Sequence, residues 1–197
     1  MVRAVVIGAG GRMGRMVIKA IQETEGIGCV GGVEAPGHPA VGKDVGEIAG
    51  VGRMGVEISD DLSSVMEDTD VLIDFTVAEA ALKHIELASS RRKPMVVGTT
   101  GFSAEQMKRI RELAEGFPCV LSPNMSAGVN LLFRLVEEVA GVLGEDYDVE
   151  VVEVHHRRKK DAPSGTALRI AERVARARGR SLQEVAVYGR EGMVGER

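Results

Sequence analysis

Residues Ala4-Val5-Val6-Ile7 run without a polar interruption into Gly8-Ala9-Gly10-Gly11-Arg12-Met13-Gly14, after which apolar positions recur at Met13, Met16, Val17, Ala20 and Ile21. A buried strand, a glycine-rich turn and an amphipathic helix in immediate succession leave few folds open. Gly8, Gly11 and Gly14 give G-x-x-G-x-x-G with Gly10 as an extra; the strict G-x-G-x-x-G register is not met, because Met13 stands at its last position. The physics survives the variation. Glycine permits the sharp turn, the approach of backbone N–H groups to a pyrophosphate, and tight helix-on-strand packing. The following helix adds roughly +0.5 charge at its start, where an anion is favoured. A tight strand-to-helix turn needs glycine on steric grounds alone, so the loop gains force only from a partner further along the chain. A second apolar run, Cys29 to Val33, ends at Glu34, 26 residues beyond Gly8, near the usual ~20-residue spacing of a ribose-hydroxyl acceptor. That carboxylate repels a 2′-phosphate and Ala35 supplies no positive charge for one. The cofactor expected is NADH or NADPH, with NADH favoured.

The strand–helix alternation continues. Val71-Leu72-Ile73 ends in Asp74-Phe75-Thr76, before a helix from about Val77 to Ser89. Met95-Val96-Val97 ends in Gly98-Thr99-Thr100-Gly101, and Ser103 opens a helix with a capping box closed by Gln106. Cys119-Val120-Leu121 ends in Ser122-Pro123-Asn124. Strands that are apolar throughout, rather than alternating, are buried on both faces of a parallel sheet. Ala35 to Gly55, rich in Gly and Pro, reads as a long loop with a turn of helix near Val45.

Past Met125 the texture changes. Val129 to Leu143 reads as a helix. Tyr147 to His156 alternates, with Asp148, Glu150 and Val152 on one side and Tyr147, Val149 and Val151 on the other, which predicts a half-buried strand. A helix from about Ser164 to Arg178 and a short strand from Val185 to Tyr188 follow. The fold class expected is α/β: a doubly wound, Rossmann-like parallel sheet over residues 1–125, then a smaller α+β substrate domain with a mixed sheet over 126–197.

Composition closes other routes. With 44% hydrophobic and 27% charged residues among 197, the chain reads as a globule, and no window offers the ~20 apolar residues a bilayer demands. A net charge of −4 and 3% aromatic residues speak against nucleic acid as a partner. The apolar start is interrupted by glycines too early for a signal-peptide core. Cys29 and Cys119 read as buried thiols of a cytoplasmic protein, although a bridge between them stays open.

Ligands of open α/β sheets sit beyond the carboxyl ends of the strands, where Asp74 to Thr76, Gly98 to Gly101 and Ser122 to Met125 all fall. Singly each is an ordinary turn; in register with the glycine loop they suggest a shared crevice. Further on, His155-His156-Arg157-Arg158-Lys159-Lys160 places four formal positives in six residues before Asp161-Ala162-Pro163-Ser164-Gly165-Thr166. The free N–H groups of that helix start, with the Ser164 and Thr166 hydroxyls, would make an anion seat beside cations, suited to a small substrate carrying carboxylates. Histidine, with an ordinary pKa near ~6.5, is a ready proton carrier, and a lysine among cations gives up its proton more readily. A solvated charged face, a nucleic-acid patch and a metal site compete as readings; no Cys or carboxylate stands at metal-site spacing. Glu153 reads as a strand-end residue.

With these stretches in hand, the sequence resembles the dihydrodipicolinate reductase family. The matching blocks are Gly8 to Gly14, Asp74-Phe75-Thr76, Gly98-Thr99-Thr100-Gly101-Phe102, Asn124-Met125-Ser126-Ala127-Gly128-Val129-Asn130, Glu153-Val154-His155-His156 to Lys159, Asp161 to Ala167 and Tyr188-Gly189-Arg190-Glu191-Gly192. The His-His to Ser-Gly-Thr block is the specific one. The resemblance implies NAD(P)H-dependent reduction of 4-hydroxy-tetrahydrodipicolinate, or the dihydrodipicolinate formed from it, to tetrahydrodipicolinate in lysine and diaminopimelate biosynthesis. It implies His155 and Lys159 as catalytic proton carriers, and His156, Gly165 and Thr166 as binders of the substrate carboxylate. Contacts to the dinucleotide fall to Gly8, Ala9, Gly10, Gly11, Arg12, Met13, Glu34, Gly98, Thr99, Thr100, Ser122, Pro123, Asn124 and Met125. It also implies a homo-oligomer, a tetramer, and no resident metal. The family continues past the stretch matched by Arg190 to Arg197, so its carboxy-terminal strands and helix are expected to be missing. A non-catalytic, redox-sensing dinucleotide module is the alternative reading.

Overall fold

The computed structural model describes residues 1–157, 159, 161–189 and 191–193; the side chains of Asp161 and Met193 lie outside the described set. Arg158 and Lys160 of the basic run, and Arg190 and 194–197 of the last matching stretch, therefore lie outside it too. The chain divides into two compact units, Met1–Ser122 and Pro123–Arg197.

The first unit is built on six parallel strands: β1 (Val2–Ile7), β2 (Ile27–Val33), β3 (Ile58–Ser59), β4 (Val71–Asp74), β5 (Met95–Val97) and β6 (Cys119–Leu121), in the order β3-β2-β1-β4-β5-β6. The connections reverse direction at β1/β4, the switch point at which dinucleotide folds of this order bind their ligand. Helices α1 (Arg12–Gln22), α2 (Val45–Ala49), α3 (Leu62–Val65), α4 (Ala78–Ser90) and α5 (Ala104–Ala114) supply the crossovers. Alternation along β1 sends Val5 and Ile7 into one core with Met66, Leu72, Ile85, Met95 and Ile110. Ala4 and Val6 enter the other, with Ile18, Ile21, Val45 and Ile58. Both faces are covered, as unbroken apolar strands require.

Local chemistry sets the element ends. Ser103 and Gln106 form the reciprocal capping box of α5. In the loop from 35 to 55, the Asp44 carboxylate caps α2 through Gly46 and Glu47 and also accepts from the N–H groups of Met54, Gly55 and Val56. These backbone donors, Met54 first, hold its pKa at about 2. The two-residue strand β3, too short to leave a periodic signal, follows that loop. Both cysteines are free, Cys29 buried and Cys119 half-buried, and burial pushes both thiols up.

The second unit contains α6 (Ala127–Leu143), α7 (Gly165–Ala177), α8 (Leu182–Val185) and an antiparallel two-stranded ladder, β7 (Asp161–Ala162) with β8 (Gly192–Met193). Ser126 and Ser164 cap α6 and α7. The two helices pack on one another, and Phe133 and Ala140 of α6 and Val174 and Ala175 of α7 are buried. Glu137 reaches from α6 to Arg173 at 2.6 Å and to Arg176, which hold its carboxyl below the usual range, Arg176 most strongly.

Two expectations are corrected here. Tyr147 to His156 forms no strand. Alternation specifies which side chains prefer burial, but a strand exists only where a second backbone takes its N–H and C=O groups, and among the described residues none pairs with this segment. Its apolar side chains stay in solvent, Val152 and Val154 at 86% exposure. The strand expected at Val185 to Tyr188 is instead the end of α8 followed by irregular chain, because Ser181 and Glu184 form a capping box that opens a helix at Leu182. Among the described residues no helix is long and apolar enough to cross a membrane.

Candidate active site

In the first unit the strand-end loops start from bonded neighbours. Phe75 N–H donates to Ile7 O at 3.5 Å, Gly98 N–H to Asp74 O at 2.9 Å and Ser122 N–H to Val97 O at 3.1 Å. The loops after β1, β4, β5 and β6 therefore leave the same edge of the sheet side by side.

The turn after β1 is anchored by Gly8 and Ala9 N–H groups on Val33 O, at 2.8 and 3.2 Å, and by Gly11 N–H on Gly8 O at 3.0 Å. Gly8 has φ of +80°, a conformation that penalises any Cβ. A Cβ on Gly14 would lie 2.0 Å from Gly8 O and 2.8 Å from Ala9 Cα, so α1 rests directly on the turn. No side chain caps α1 at Gly11 and its first turn holds no acidic residue. Gly11, Arg12 and Met13 are exposed, whereas Gly8, Ala9 and Gly10 are buried. A backbone cradle with an uncapped helix start behind it fits a pyrophosphate. Glu34 follows β2 and bonds back onto this cradle: its Oε1 accepts from Gly10 N–H at 2.8 Å and its Oε2 from Ala35 N–H at 3.2 Å.

The other two loops interlock. The Phe75 ring lies over Gly98, where a Cβ would meet Cε1 at 2.0 Å, so position 98 has room only for hydrogen. Thr99 is buried and its hydroxyl donates to Asp74 Oδ1 at 3.0 Å, while Thr100 is exposed.

In the second unit Asn124 organises the entry to α6. Its Oδ1 accepts from Ser126 N–H at 2.9 Å, its carbonyl from Asn130 Nδ2 at 2.9 Å, and its Nδ2 lies 3.5 Å from Thr166 Oγ1. Asn124 and Thr166, assigned to different ligands by resemblance, are thus neighbours. Pro123 and Met125 flank Asn124 in sequence, and Met125 is exposed.

The basic run is organised by Glu153, which its sequence context marks only as a strand end. Glu153 Oε1 accepts from Ser164 N–H at 2.7 Å, Oε2 accepts from the Ser164 hydroxyl, and Oε2 lies 2.6 Å from His155 Nε2. Ser164 Oγ in turn accepts from Ala167 N–H at 3.0 Å. The Ser164 hydroxyl, expected to face an anion, is consumed as helix cap and carboxylate partner. Gly165 is exposed with open space where a Cβ would stand, and Thr166 is half-buried. His156 is exposed; its carbonyl accepts from Lys159 N–H at 3.2 Å, which brings the chain at Lys159 back toward the histidines. Period-two spacing from Glu153 to His155, both on one side of an extended chain, is the signal in the sequence that could have found the pair.

Burial alone would push the Glu153 carboxyl up; the hydrogen bonds from Ser164 and His155 outweigh it and hold the pKa at about 2. A carboxyl lowered by folding stabilises the native state above its unfolded value and loses that contribution as pH falls through the folded one. The second unit is therefore expected to lose stability between pH ~4.5 and ~2 with this group as one source. Glu153→Gln should flatten that part of an acid-unfolding profile, and an unchanged profile counts against the network. Among the described residues no group of three or more His, Cys, Asp or Glu could hold a metal ion.

Comparison with known proteins converges on one family. The model of the amino-terminal part of dihydrodipicolinate reductase matches residues 2–125, and that of its carboxy-terminal part matches 128–197. The 4-hydroxy-tetrahydrodipicolinate reductase of Syntrophus aciditrophicus is 53% identical over 197 residues, covering all of this chain and 74% of the relative. Those of Syntrophobacter fumaroxidans and Geotalea daltonii are 51% and 52% identical with the same coverage. Among solved structures, dipicolinate-bound dihydrodipicolinate reductase from a Paenisporosarcina species superposes with a TM-score of 0.71 at 28% identity, over 90% of this chain and 67% of that one. Biliverdin reductase from Synechocystis, at 14% identity and a TM-score of 0.55 over 73% of this chain and 44% of that one, shares the fold.

Proposed function

The chain belongs to the dihydrodipicolinate reductase family, and from that premise we propose how its residues divide the work of reducing 4-hydroxy-tetrahydrodipicolinate with a pyridine nucleotide in lysine biosynthesis. The observation that carries the division is the uncapped, acid-free start of α1 behind the Gly8–Gly11 turn. Gly8, Ala9, Gly10, Gly11, Arg12 and Met13 hold the pyrophosphate and Glu34 the adenosine ribose. Gly98, Thr99 and Thr100, with Ser122, Pro123, Asn124 and Met125, hold the nicotinamide end. Glu34 followed by the uncharged Ala35 selects NADH over NADPH, since a carboxylate repels a 2′-phosphate.

Loss of the 4-hydroxyl as water gives the dihydrodipicolinate, in which a ring carbon is conjugated with the imine, and a bound nicotinamide would supply the hydride to that carbon. The electron pair moves onto the ring as an enamine, which must then be protonated. Gly165 and Thr166 N–H groups at the start of α7, with His156, hold a substrate carboxylate. His155 and Lys159 deliver the proton, His155 being aimed by Glu153. A positioned acid is worth typically 10²–10⁴-fold. A cytoplasmic homo-oligomer goes with this reading, and the exposed Leu131, Leu135, Val139 and Val142 on α6 support self-association, because contiguous apolar surface favours a protein partner.

The test is calorimetry with NADH and NADPH, with and without pyridine-2,6-dicarboxylate, followed by turnover of the aldolase-type condensation product. NADH should bind about tenfold more tightly than NADPH, a difference of ~1.4 kcal/mol. The dicarboxylate should tighten NADH further, and absorbance of the reduced nicotinamide should fall on adding substrate. Equal affinities would refute the role given to Glu34; tight NADH binding without turnover would favour the sensing module.

A further inference from the structure

Asp74 is the one acidic side chain among the described residues that is both fully buried, at 0% exposure, and at the edge where the loops emerge. Its Oδ1 accepts from Thr76 N–H at 2.9 Å, Thr76 Oγ1 at 2.7 Å and Thr99 Oγ1 at 3.0 Å. Thr76 N–H also reaches Thr99 Oγ1 at 2.9 Å. Its Oδ2 lies 2.7 Å from Nδ1 of His84, on α4. A carboxylate withdrawn from water is tolerated only when such partners replace its hydration. An ionised carboxylate can only accept, and to it His84 Nδ1–H would be the donor of this contact.

The cluster joins the loops after β1, β4 and β5. Thr76 Cγ2 would stand 3.1 Å from a Cβ on Gly8, and Phe75, between Asp74 and Thr76, seals Gly98. Rotation of the Asp74 carboxylate would release the Thr76 backbone and the Thr99 hydroxyl together. The loop hydroxyls engage Oδ1; what fixes the plane of the carboxylate from behind is the bond at Oδ2. His84 is 21% exposed and belongs to no segment that the proposed ligand contacts include.

We propose that His84 is a positioning residue for dinucleotide binding: through Asp74 it holds Thr76 and Thr99 so that the loops after β1, β4 and β5 stay in register. The inference rests on those loops being the dinucleotide site, as proposed above. His84→Leu, which removes the Nδ1 donor, should raise both the NADH dissociation constant and the NADH KM about tenfold. The kcat at saturating NADH should stay within about twofold, the pattern of lost uniform binding. Asn and Gln provide a matched polar pair should the leucine variant fail to fold. The amide nitrogen of Asn falls near the position of Nδ1, that of Gln near Nε2, so His84→Asn should keep NADH affinity within about threefold of the parent and His84→Gln should not. Loss of melting temperature without loss of NADH affinity, or equal affinities for the Asn and Gln variants, would overturn the proposal. A parent protein that fails to bind NADH would overturn it together with the loop assignment, whereas a parent that binds NADH and a His84→Leu variant that binds it equally well would sink this inference alone.

Discussion

Gly14→Ala lowers the stability of the first unit by about 2 kcal/mol net and abolishes measurable dinucleotide binding. Two effects oppose one another at this position. Alanine is the better helix former by about 1 kcal/mol, so on a free helix the substitution would stabilise. Here its methyl would fall 2.0 Å from Gly8 O and 2.8 Å from Ala9 Cα; both neighbours are backbone and cannot rotate away. Overpacking of a closed contact costs about 3 kcal/mol, so the overlap wins. For a unit of this size each kcal/mol lost moves the midpoint by about 4 °C, and the thermal midpoint should fall by about 8 °C. Relief of the overlap must push the start of α1 off the turn, which removes the anion cradle. An unchanged or raised midpoint would show that the helix does not rest on the loop.

Lys159→Ala and His155→Gln each lower kcat by about 10²–10³-fold while leaving NADH affinity unchanged, because general acid chemistry is lost and binding is not. If the two side chains serve one proton-transfer step, the double variant falls little further than either single one. Steady-state kinetics beside a direct NADH titration separates the cases. A parallel loss of NADH affinity, or full activity in either single variant, removes that residue from the proton path.

Much of this molecule is legible in its sequence because the signals are local. The Gly8 to Gly14 turn, the apolar strand cores and the Ser103/Gln106 capping box each need only neighbours in sequence, and each stands where the pattern puts it. The same capping signal at Ser181 and Glu184 competes with the β-branched Val185 and Val187, which suggest a strand, and there the structure is helical as far as Val185 and irregular beyond it. At Tyr147 to His156 the alternation is genuine, but pairing depends on a second backbone, about which the periodicity of one segment carries no information. The Asp74–His84 contact joins β4 to α4 across a sequence separation of ten and leaves no periodic trace. Glu153 misleads for a different reason: a carboxylate two residues before a histidine is common, and only the bonds from Ser164 distinguish an aimed side chain from a solvated one.

The bond from Gly10 N–H to Glu34 has a consequence for how quickly the coenzyme can be exchanged. The Gly10 donor in the turn is already satisfied by the Glu34 carboxylate that follows β2, so an incoming nucleotide that claims either group must displace an existing partner before it gains a new one. Association becomes a swap of nearly equivalent contacts, and departure is eased because the protein re-forms its internal bond as the nucleotide leaves. With the coenzyme seated as proposed above, such a loop would trade tight grip for easier release of spent coenzyme.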